Sequence, residues 1–288
     1  MLPPSLVSSR PAHNDQRSQG PSTAFRCRVS EPAVAIVTRT QDRPIALDRT
    51  IRDILSQSFT DWQWVVVSDA GNLQSIKGVL SRYSSDLAGL HILVHRERSE
   101  GGGAASNSGV VGGSSRYIVI HDDDDTWHPE FLQKTVTYLR KADGRVRAVA
   151  TGAEIVVERL ESDRIVELRR RPMPAPVQPI TVSALRKQNF FPPIAFLYDR
   201  EAAESIGHYR TDIPLLTDWD FFVRFAERFE IGYVEQVLAY WHRRKVTHSQ
   251  PRVYSNYSYR RNLDILMKLK REWGMLPPLW RYLLWWRY

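Results

Sequence analysis

The chain has one cysteine, Cys27, among its 288 residues. A single cysteine excludes an intramolecular disulfide and any cysteine-rich metal site. The sequence contains no run of about 18 apolar residues, so it predicts no membrane-spanning helix. Its first residues, MLPPSLVSSRPAHND, lack the apolar core of a secretory signal. Together these features lead us to expect a cytoplasmic protein.

The body of the chain has no excess of charge. Residues 1–30 carry a net charge of +3 and residues 259–288 a net charge of +5, which account for the formal charge of +8. Residues 31–258 are therefore neutral overall. Nucleic-acid binding requires a basic patch or stripe on the fold. We therefore expect no nucleic-acid partner.

Strand-like and helix-like segments alternate along the first half of the chain. Residues 1–31 lack any apolar periodicity and are rich in Pro, Ser, Gln and Arg, which predicts a disordered leader. After them come predicted strands and helices at 33–40, 46–57, 62–71, 73–83, 90–95, 117–120 and from Pro129. This alternation predicts an α/β fold, with a Rossmann-like, mostly parallel open sheet covered by helices on both faces. Such sheets bind ligands beyond the carboxyl ends of their strands.

The second half has a different pattern. It predicts an antiparallel hairpin at 153–171, a helix at 217–229, a strand at 232–242 and a C-terminal helical segment from Tyr259. The glycine-rich residues 99–115 lack the Gly-Lys-Ser/Thr of a P-loop, and we interpret them as a flexible loop near a nucleotide. We divide the chain into a leader (1–31), one domain (32–250, with halves 32–128 and 129–250) and a basic, aromatic extension (251–288).

Four consecutive aspartates, Asp122 to Asp125, follow the predicted strand 117–120. Neighbouring carboxylates raise one another's pKa unless a cation compensates them. In an extended chain Asp122 and Asp124 would point to the same side. Such a pair suits Mg²⁺ or Mn²⁺ bound together with a phosphate group. Asp123 would then point away, and Asp125 would orient the loop or cap the next helix. The alternative is a solvated acidic loop or a helix cap.

Several segments, in this order, resemble glycosyltransferase family 2, the inverting sugar transferases of the GT-A fold. The resemblance covers about residues 33–245 and lies in VAIVTRTQDRP, ILSQSFTDWQWVVVSDAG, AASNSGV, YIVIHDDDDTWHPEFL and LLTDWDFFVRF. Ser68 stands where the family often has an aspartate, and Thr217 replaces its usual glutamate. The later AYWHRRKVTHS matches the family's Tyr-Arg-x-His region only loosely.

The resemblance implies a role for each matching residue. The nucleotide would be bound by Thr40, Arg43, Asp69, Asn107 and Asp122. The metal ion, Mn²⁺ or Mg²⁺, would be held by Asp122, Asp124 and His242, with His248 as a competitor for the last position. Asp218 would be the general base, and Trp127 and Trp219 would stack on the acceptor sugar.

Several of these residues also have a structural interpretation. Asp218 could cap its helix, Asp69 could end a strand in a turn, and Arg43 could lie on the surface beside Pro44. His242 could be a structural histidine. Trp127 and Trp219 could belong to the core instead of an acceptor platform.

The resemblance implies a metal-dependent inverting glycosyltransferase. It would move a sugar from a nucleotide-diphosphate donor, a UDP-sugar by default, to a hydroxyl of a glycan or glycolipid, as in polysaccharide or cell-envelope synthesis. One alternative is a nucleotidyltransferase that makes the activated sugar, although TRTQDRP lacks the glycine-rich signature of such enzymes. Another is a catalytically silent carbohydrate- or nucleotide-binding scaffold.

The last residues of the chain predict a surface contact. Residues 274–288 interleave arginines with tryptophans and tyrosines, a pattern typical of segments that lie in the headgroup plane of an anionic membrane. We therefore expect peripheral attachment to the inner face of the plasma membrane. The alternative is a last helix that packs on the core or at a homodimer interface.

Overall fold

The computed structural model of the protein describes residues 31–161, 164–244 and 260–275. The predicted leader, apart from Glu31, lies outside these residues. His248 lies outside them too, as does the predicted membrane segment apart from Gly274 and Met275. Attachment to a membrane and a homodimer therefore stay predictions. Across the described ranges, no helix combines the length and apolarity that crossing a membrane requires.

The first half of the fold is a series of β–α units. Its elements are β1 (Val34–Thr40), α1 (Pro44–Leu55), β2 (Trp62–Asp69), α2 (Leu73–Ser81), β3 (His91–Arg96), α3 (Gly102–Gly112) and β4 (Tyr117–Ile120). β4 is buried along its whole length, as expected of an apolar strand inside a parallel sheet. Pro44 opens α1, where its fixed φ suits a first helical turn. The Asn72 side chain caps α2 by accepting from the backbone N–H of Gln74 and Ser75 at 3.0 and 3.1 Å.

The second half adds longer strands and shorter helices. Its elements are β5 (Thr126–Trp127), α4 (Phe131–Lys141), β6 (Val146–Glu161), β7 (Arg164–Pro172), α5 (Val182–Lys187), β8 (Phe196–Asp199), α6 (Arg200–Ser205), α7 (Thr217–Ala226), β9 (Glu230–Arg244) and α8 (Arg260–Glu272). β6 and β7 form the predicted hairpin. The helix predicted after Pro129 is confirmed, and one face of it is buried: Phe131, Leu132, Thr135, Val136 and Leu139.

All nine strands of the described residues belong to one open sheet. The strand order is β3-β2-β1-β4-β8-β6-β9-β5, and β7 pairs with β6 beside this path. β3, β2, β1 and β4 are parallel, so their carboxyl ends meet at one edge. β8 runs antiparallel to both β4 and β6. β6 and β9 are parallel, and this pairing brings residues of the hairpin beside the end of β9.

The glycine-rich segment is a helix, α3, and the prediction of a flexible loop there is wrong. Glycine disfavours an isolated helix because it loses the most backbone freedom. Here glycine allows close packing on the sheet. A Cβ on Gly109 would overlap Val37 and lie 2.9 Å from a methyl group of Val67. A Cβ on Gly103 would overlap the backbone carbonyl of Arg210. Tertiary packing, rather than local propensity, stabilises this helix.

The helix that follows residue 259 packs on the body of the domain. In α8, Leu269 is fully buried. Just beyond it, the ring of Trp273 lies 5.6 Å from the ring of Trp219 in α7. The described part of the predicted extension is therefore continuous with the core. Within α7, which confirms the helix predicted at 217–229, Trp219, Phe222 and Val223 are buried.

Candidate active site

The aspartates form a turn rather than an extended strand. The backbone N–H of Asp125 donates to the carbonyl of Asp122 at 3.1 Å, which closes a turn over Asp123 and Asp124. The expectation that Asp122 and Asp124 point one way in an extended chain is therefore wrong. The side chain of Asp123 is fully buried and shares Arg43 with Asp124.

Arginines from β1 and from the start of α1 compensate the aspartate turn. Arg39 donates from Nε to Asp122 Oδ1 at 2.7 Å and from Nη2 to Oδ2 at 2.6 Å. Arg43 donates from Nε to Asp123 Oδ2 at 3.1 Å and from Nη1 to Asp124 Oδ2 at 3.2 Å. Burial raises the pKa of Asp123 to about 6, although Arg43 lowers it. The repulsion within the run is thus offset by cationic side chains of this chain itself.

A second buried group of charges connects the turn to the hairpin and to β9. Arg244 is fully buried and donates to Asp124 Oδ2 at 3.0 Å and to Glu158 Oε2 at 2.7 Å. Arg49 donates to Glu158 Oε1 at 2.6 Å. Burial alone would raise the pKa of Glu158, but hydrogen bonding to His242 and the two arginines hold it below its ordinary value.

His242 lies within this charged group. Its Nδ1 contacts Glu158 Oε1, and its Nε2 lies 2.7 Å from Thr126 Oγ1. Its backbone N–H donates to Asp125 Oδ1 at 2.8 Å. Burial lowers the pKa of His242. Because both ring nitrogens are engaged, His242 does not present a free nitrogen to a metal ion in this arrangement.

The two other predicted metal ligands, Asp122 and Asp124, suit a hard divalent cation, but two carboxylates do not complete a metal site. Asp122 and Asp124 supply the oxygen ligands that Mg²⁺ and Mn²⁺ prefer. In the described part of the chain, however, no group of three His, Cys, Asp or Glu side chains could hold a metal ion. An ion at the turn would need further oxygen ligands from outside the protein, such as those of a diphosphate.

Two residues predicted to bind the nucleotide, Thr40 and Asp69, lie at the carboxyl edge of the parallel strands. Thr40 ends β1 and is 2% exposed. Asp69 ends β2, where it accepts from Arg96 Nη1 at 3.0 Å and from Ser99 Oγ at 2.7 Å. Asn107 lies on α3, and its side chain both donates to and accepts from the backbone of Tyr209, at 2.8 and 3.0 Å. Asn107 therefore fixes the segment that precedes α7.

Asp218 lies in the first turn of α7, one residue inside the helix. The N-cap position belongs to Leu216, so Asp218 is not the cap of this helix. Burial raises the pKa of Asp218, Arg39 lowers it, and Asp122 raises it further. The side chain of Asp218 is half-buried, and the first turn of α3 connects α7 to the ion pair of Arg39 and Asp122. Arg39 donates to the Gly102 carbonyl at 2.9 Å, and a Cβ on Gly103 would lie 3.2 Å from Thr217.

Neither predicted acceptor-binding tryptophan offers an open face. Trp127 is 3% exposed, donates to the carbonyl of Ile194 at 2.8 Å, and stacks on Phe131 with ring centroids 4.5 Å apart. Trp219 is 8% exposed and donates to the carbonyl of Leu185 at 2.6 Å. The structure therefore places both indoles in the core. The prediction that Trp127 and Trp219 stack on the acceptor sugar is wrong.

Sequence reasoning missed four charged residues around the turn. They are Arg39, Arg49, Glu158 and Arg244. One signal was present in the sequence, since Arg39 interrupts an otherwise uncharged strand. The other three lie in segments whose charged residues are typical of solvent-exposed surfaces. Their position around the turn follows from the tertiary structure and has no signal in the sequence.

The comparisons with known proteins agree with this architecture. The model of glycosyl transferase family 2 matches residues 34–207. No curated protein matches the chain. Among solved structures, the mannosyltransferase PcManGT from Pyrobaculum calidifontis, in complex with GDP-Man and Mn²⁺, superimposes with a TM-score of 0.59 at 17% identity. That match covers 87% of this chain and 66% of PcManGT.

A second similar structure is TarS 1–349 of S. aureus in complex with UDP-GlcNAc. It has a TM-score of 0.57 at 13% identity, covering 82% of this chain and 64% of that one. Another structure of TarS 1–349 has a TM-score of 0.54, and this chain spans 60% of its length. At these identities the likeness shows the fold, which is that of the GT-A glycosyltransferases. The family model covers more than half of the sequence and the sheet has the GT-A architecture, so the chain belongs to glycosyl transferase family 2.

Proposed function

We propose that the protein transfers a sugar from a nucleotide-diphosphate donor to a hydroxyl of a glycan or glycolipid acceptor, with inversion at the anomeric carbon. One observation carries this proposal. A half-buried carboxylate, Asp218, lies in the first turn of α7 next to the first turn of α3, which also accepts a hydrogen bond from Arg39, the partner of Asp122 at the carboxyl edge of the parallel strands. Ligands of open α/β sheets bind at this edge.

Asp218 would act as the general base. The acceptor oxygen forms a bond to the anomeric carbon while the bond from that carbon to the diphosphate breaks. The acceptor's proton passes to the Asp218 carboxylate, and the nucleotide diphosphate leaves. Attack opposite the leaving group inverts the anomeric centre. Burial raises the pKa of Asp218, which brings this base closer to the operating pH and makes it a better proton acceptor.

The donor would be held along the same edge. Thr40 and Asp69 end β1 and β2, where they would contact the base and ribose, and Arg43 lies at the start of α1. Mn²⁺ or Mg²⁺, held by Asp122 and Asp124 together with the diphosphate, would neutralise charge on the leaving group. The similar structures contain UDP-GlcNAc in TarS and GDP-Man with Mn²⁺ in PcManGT. UDP is our first choice and GDP the second.

A thermal-shift panel tests this proposal. UDP, GDP and dTDP are each added with and without Mn²⁺, because a ligand that binds the native state raises its stability. We expect one nucleotide to raise the melting temperature in a Mn²⁺-dependent manner. Asp124→Asn should abolish the Mn²⁺-dependent part, whereas Asp218→Asn should keep the shift and lose sugar transfer.

The outcomes separate the alternatives. No shift with any nucleotide would contradict the transferase proposal. A shift without transfer to any acceptor, in the wild-type protein, would favour a silent binding scaffold. Formation of the sugar nucleotide from a sugar phosphate and a nucleoside triphosphate would favour a nucleotidyltransferase.

A further inference from the structure

A pocket of about 590 Å³ lies against the β6–β7 hairpin and the end of β9. Strand pairing sets two rows of side chains across its floor. Arg171 of β7 pairs with Ile155 of β6, which pairs with Trp241 of β9. Val157 likewise pairs with Arg169 on one side and Arg243 on the other. Because directly paired residues point to the same face, both rows line one surface.

Two of these arginines lack a compensating charge within the described residues. Arg169 and Arg171 are exposed, and neither forms an ion pair there. The arginine between them differs, because Arg170 donates to Glu167 Oε1 at 2.6 Å. Arg159, at the other end of the pocket, is paired with Glu161. The pocket therefore presents two positive charges that no acidic side chain of the described ranges neutralises.

The floor between the charges is partly aromatic. The guanidinium of Arg243 lies 4.5 Å from the ring centroid of Trp241, in a cation–π contact. Leu168, which also lines the pocket, is 53% exposed. A surface with an aromatic ring and an apolar side chain between cations suits a ligand that carries both sugar rings and negative charges.

The pocket adjoins the candidate active site. Glu158 and Arg244 line it, and Arg244 also donates to Asp124 Oδ2 at 3.0 Å. A chain bound in the pocket would thus run toward the aspartate turn. The pocket itself lies apart from the proposed donor edge, which is formed by the ends of β1, β2 and β4.

We propose that this pocket binds the anionic part of the acceptor, a glycan that carries phosphate or carboxylate groups. The inference rests on the proposed function, and it names the acceptor class. Its concave shape favours a chain over a membrane, because membrane-binding segments bury a continuous apolar face in the headgroup plane. The neutral body of the chain argues against nucleic acid, which requires an extended basic surface.

Matched polymers test the charge requirement. Binding of the full chain is measured to dextran phosphate and to dextran, and to oligogalacturonate and to its methyl ester. We expect binding to the two anionic glycans alone, weakening as salt rises because exposed charges are screened. The double variant Arg169→Gln/Arg171→Gln should lose about fivefold to tenfold in affinity, as expected for two exposed ionic contacts.

A control of equal charge change makes the result specific. Lys77 and Lys141 are exposed on α2 and α4, and Lys77→Gln/Lys141→Gln should keep the wild-type affinity. An equal loss in this control would overturn the inference, since the effect would then be one of net charge. Binding of phosphatidylglycerol vesicles through Arg169 and Arg171, without binding of either anionic glycan, would overturn it as well.

The nucleotide-dependent thermal shift separates this inference from the proposed function. A shift by UDP or GDP with no affinity for either anionic glycan refutes the pocket's role and leaves the transferase standing. Absence of the shift refutes the transferase instead. In the double variant, the shift also reports that the protein is folded.

Discussion

Glu158 tests whether the buried charges around the aspartate turn act as one group. Its side chain is 3% exposed and contacts Arg49, Arg244 and His242. Glu158→Gln keeps the shape and removes the negative charge, so the half-buried Arg49 loses its ion-pair partner and the fully buried Arg244 loses one of its two. Removing one partner of a buried ion pair costs about 3–5 kcal/mol in the free energy of unfolding. Arg244 retains Asp124, so we expect a loss near the lower end, about 3 kcal/mol.

Urea unfolding of the full chain measures this loss, with Glu161→Gln as the matched control. Glu161 lies on the same strand but pairs with Arg159 and Arg164, which are 53% and 75% exposed. Exposed ion pairs contribute about 0–1 kcal/mol, so the control should stay within that range. Equal losses in the two variants would refute the argument from burial.

The pH dependence gives a second check on the same variant. The pKa of Glu158 is held below its ordinary value of 4.5 in the folded state. Its contribution to stability is therefore complete above that value and is lost as pH falls through the lowered pKa. The difference between wild type and Glu158→Gln should shrink in this acidic range. A difference that grows on acidification would show that the ionised carboxylate does not stabilise the fold.

Two further predictions concern α3 and the proposed base. Gly109→Ala should lower stability by about 1–3 kcal/mol through overpacking against Val37, whereas Gly78→Ala in α2, which faces open space, should raise it by about 0.5–1 kcal/mol. Melting temperatures measure both, and a stabilising Gly109→Ala would show that α3 does not pack closely on the sheet. The proposed base Asp218 must be ionised to accept a proton, and burial raises its pKa. We therefore expect kcat/KM to rise with pH through a pKa above about 3.9, the ordinary value for aspartate. An acid limb at or below that value would contradict the role of Asp218 as a base with a raised pKa.

The sequence alone determined the elements whose signal is local. The β-branched runs at 33–40 and 117–120 became β1 and β4, and the apolar spacing after Pro129 became the buried face of α4. The ordered motifs also identified the family, which the family model confirms. The sequence predicts these elements because hydrophobic periodicity and turn residues depend only on residues a few positions apart.

Only the tertiary structure decided how the charges are partnered. Arg39 and Asp122 are 83 positions apart, and Arg244 and Asp124 are 120 apart, so no local pattern links them. The same holds for α3. Its glycines predict a loop from the sequence alone, but close packing against the sheet stabilises a helix there. Trp127 is likewise a residue type that can stack on a sugar, but the fold buries its side chain in the core. In each case, contacts between segments that are distant in the sequence determine the environment of the residue. These contacts form only when the sheet has formed.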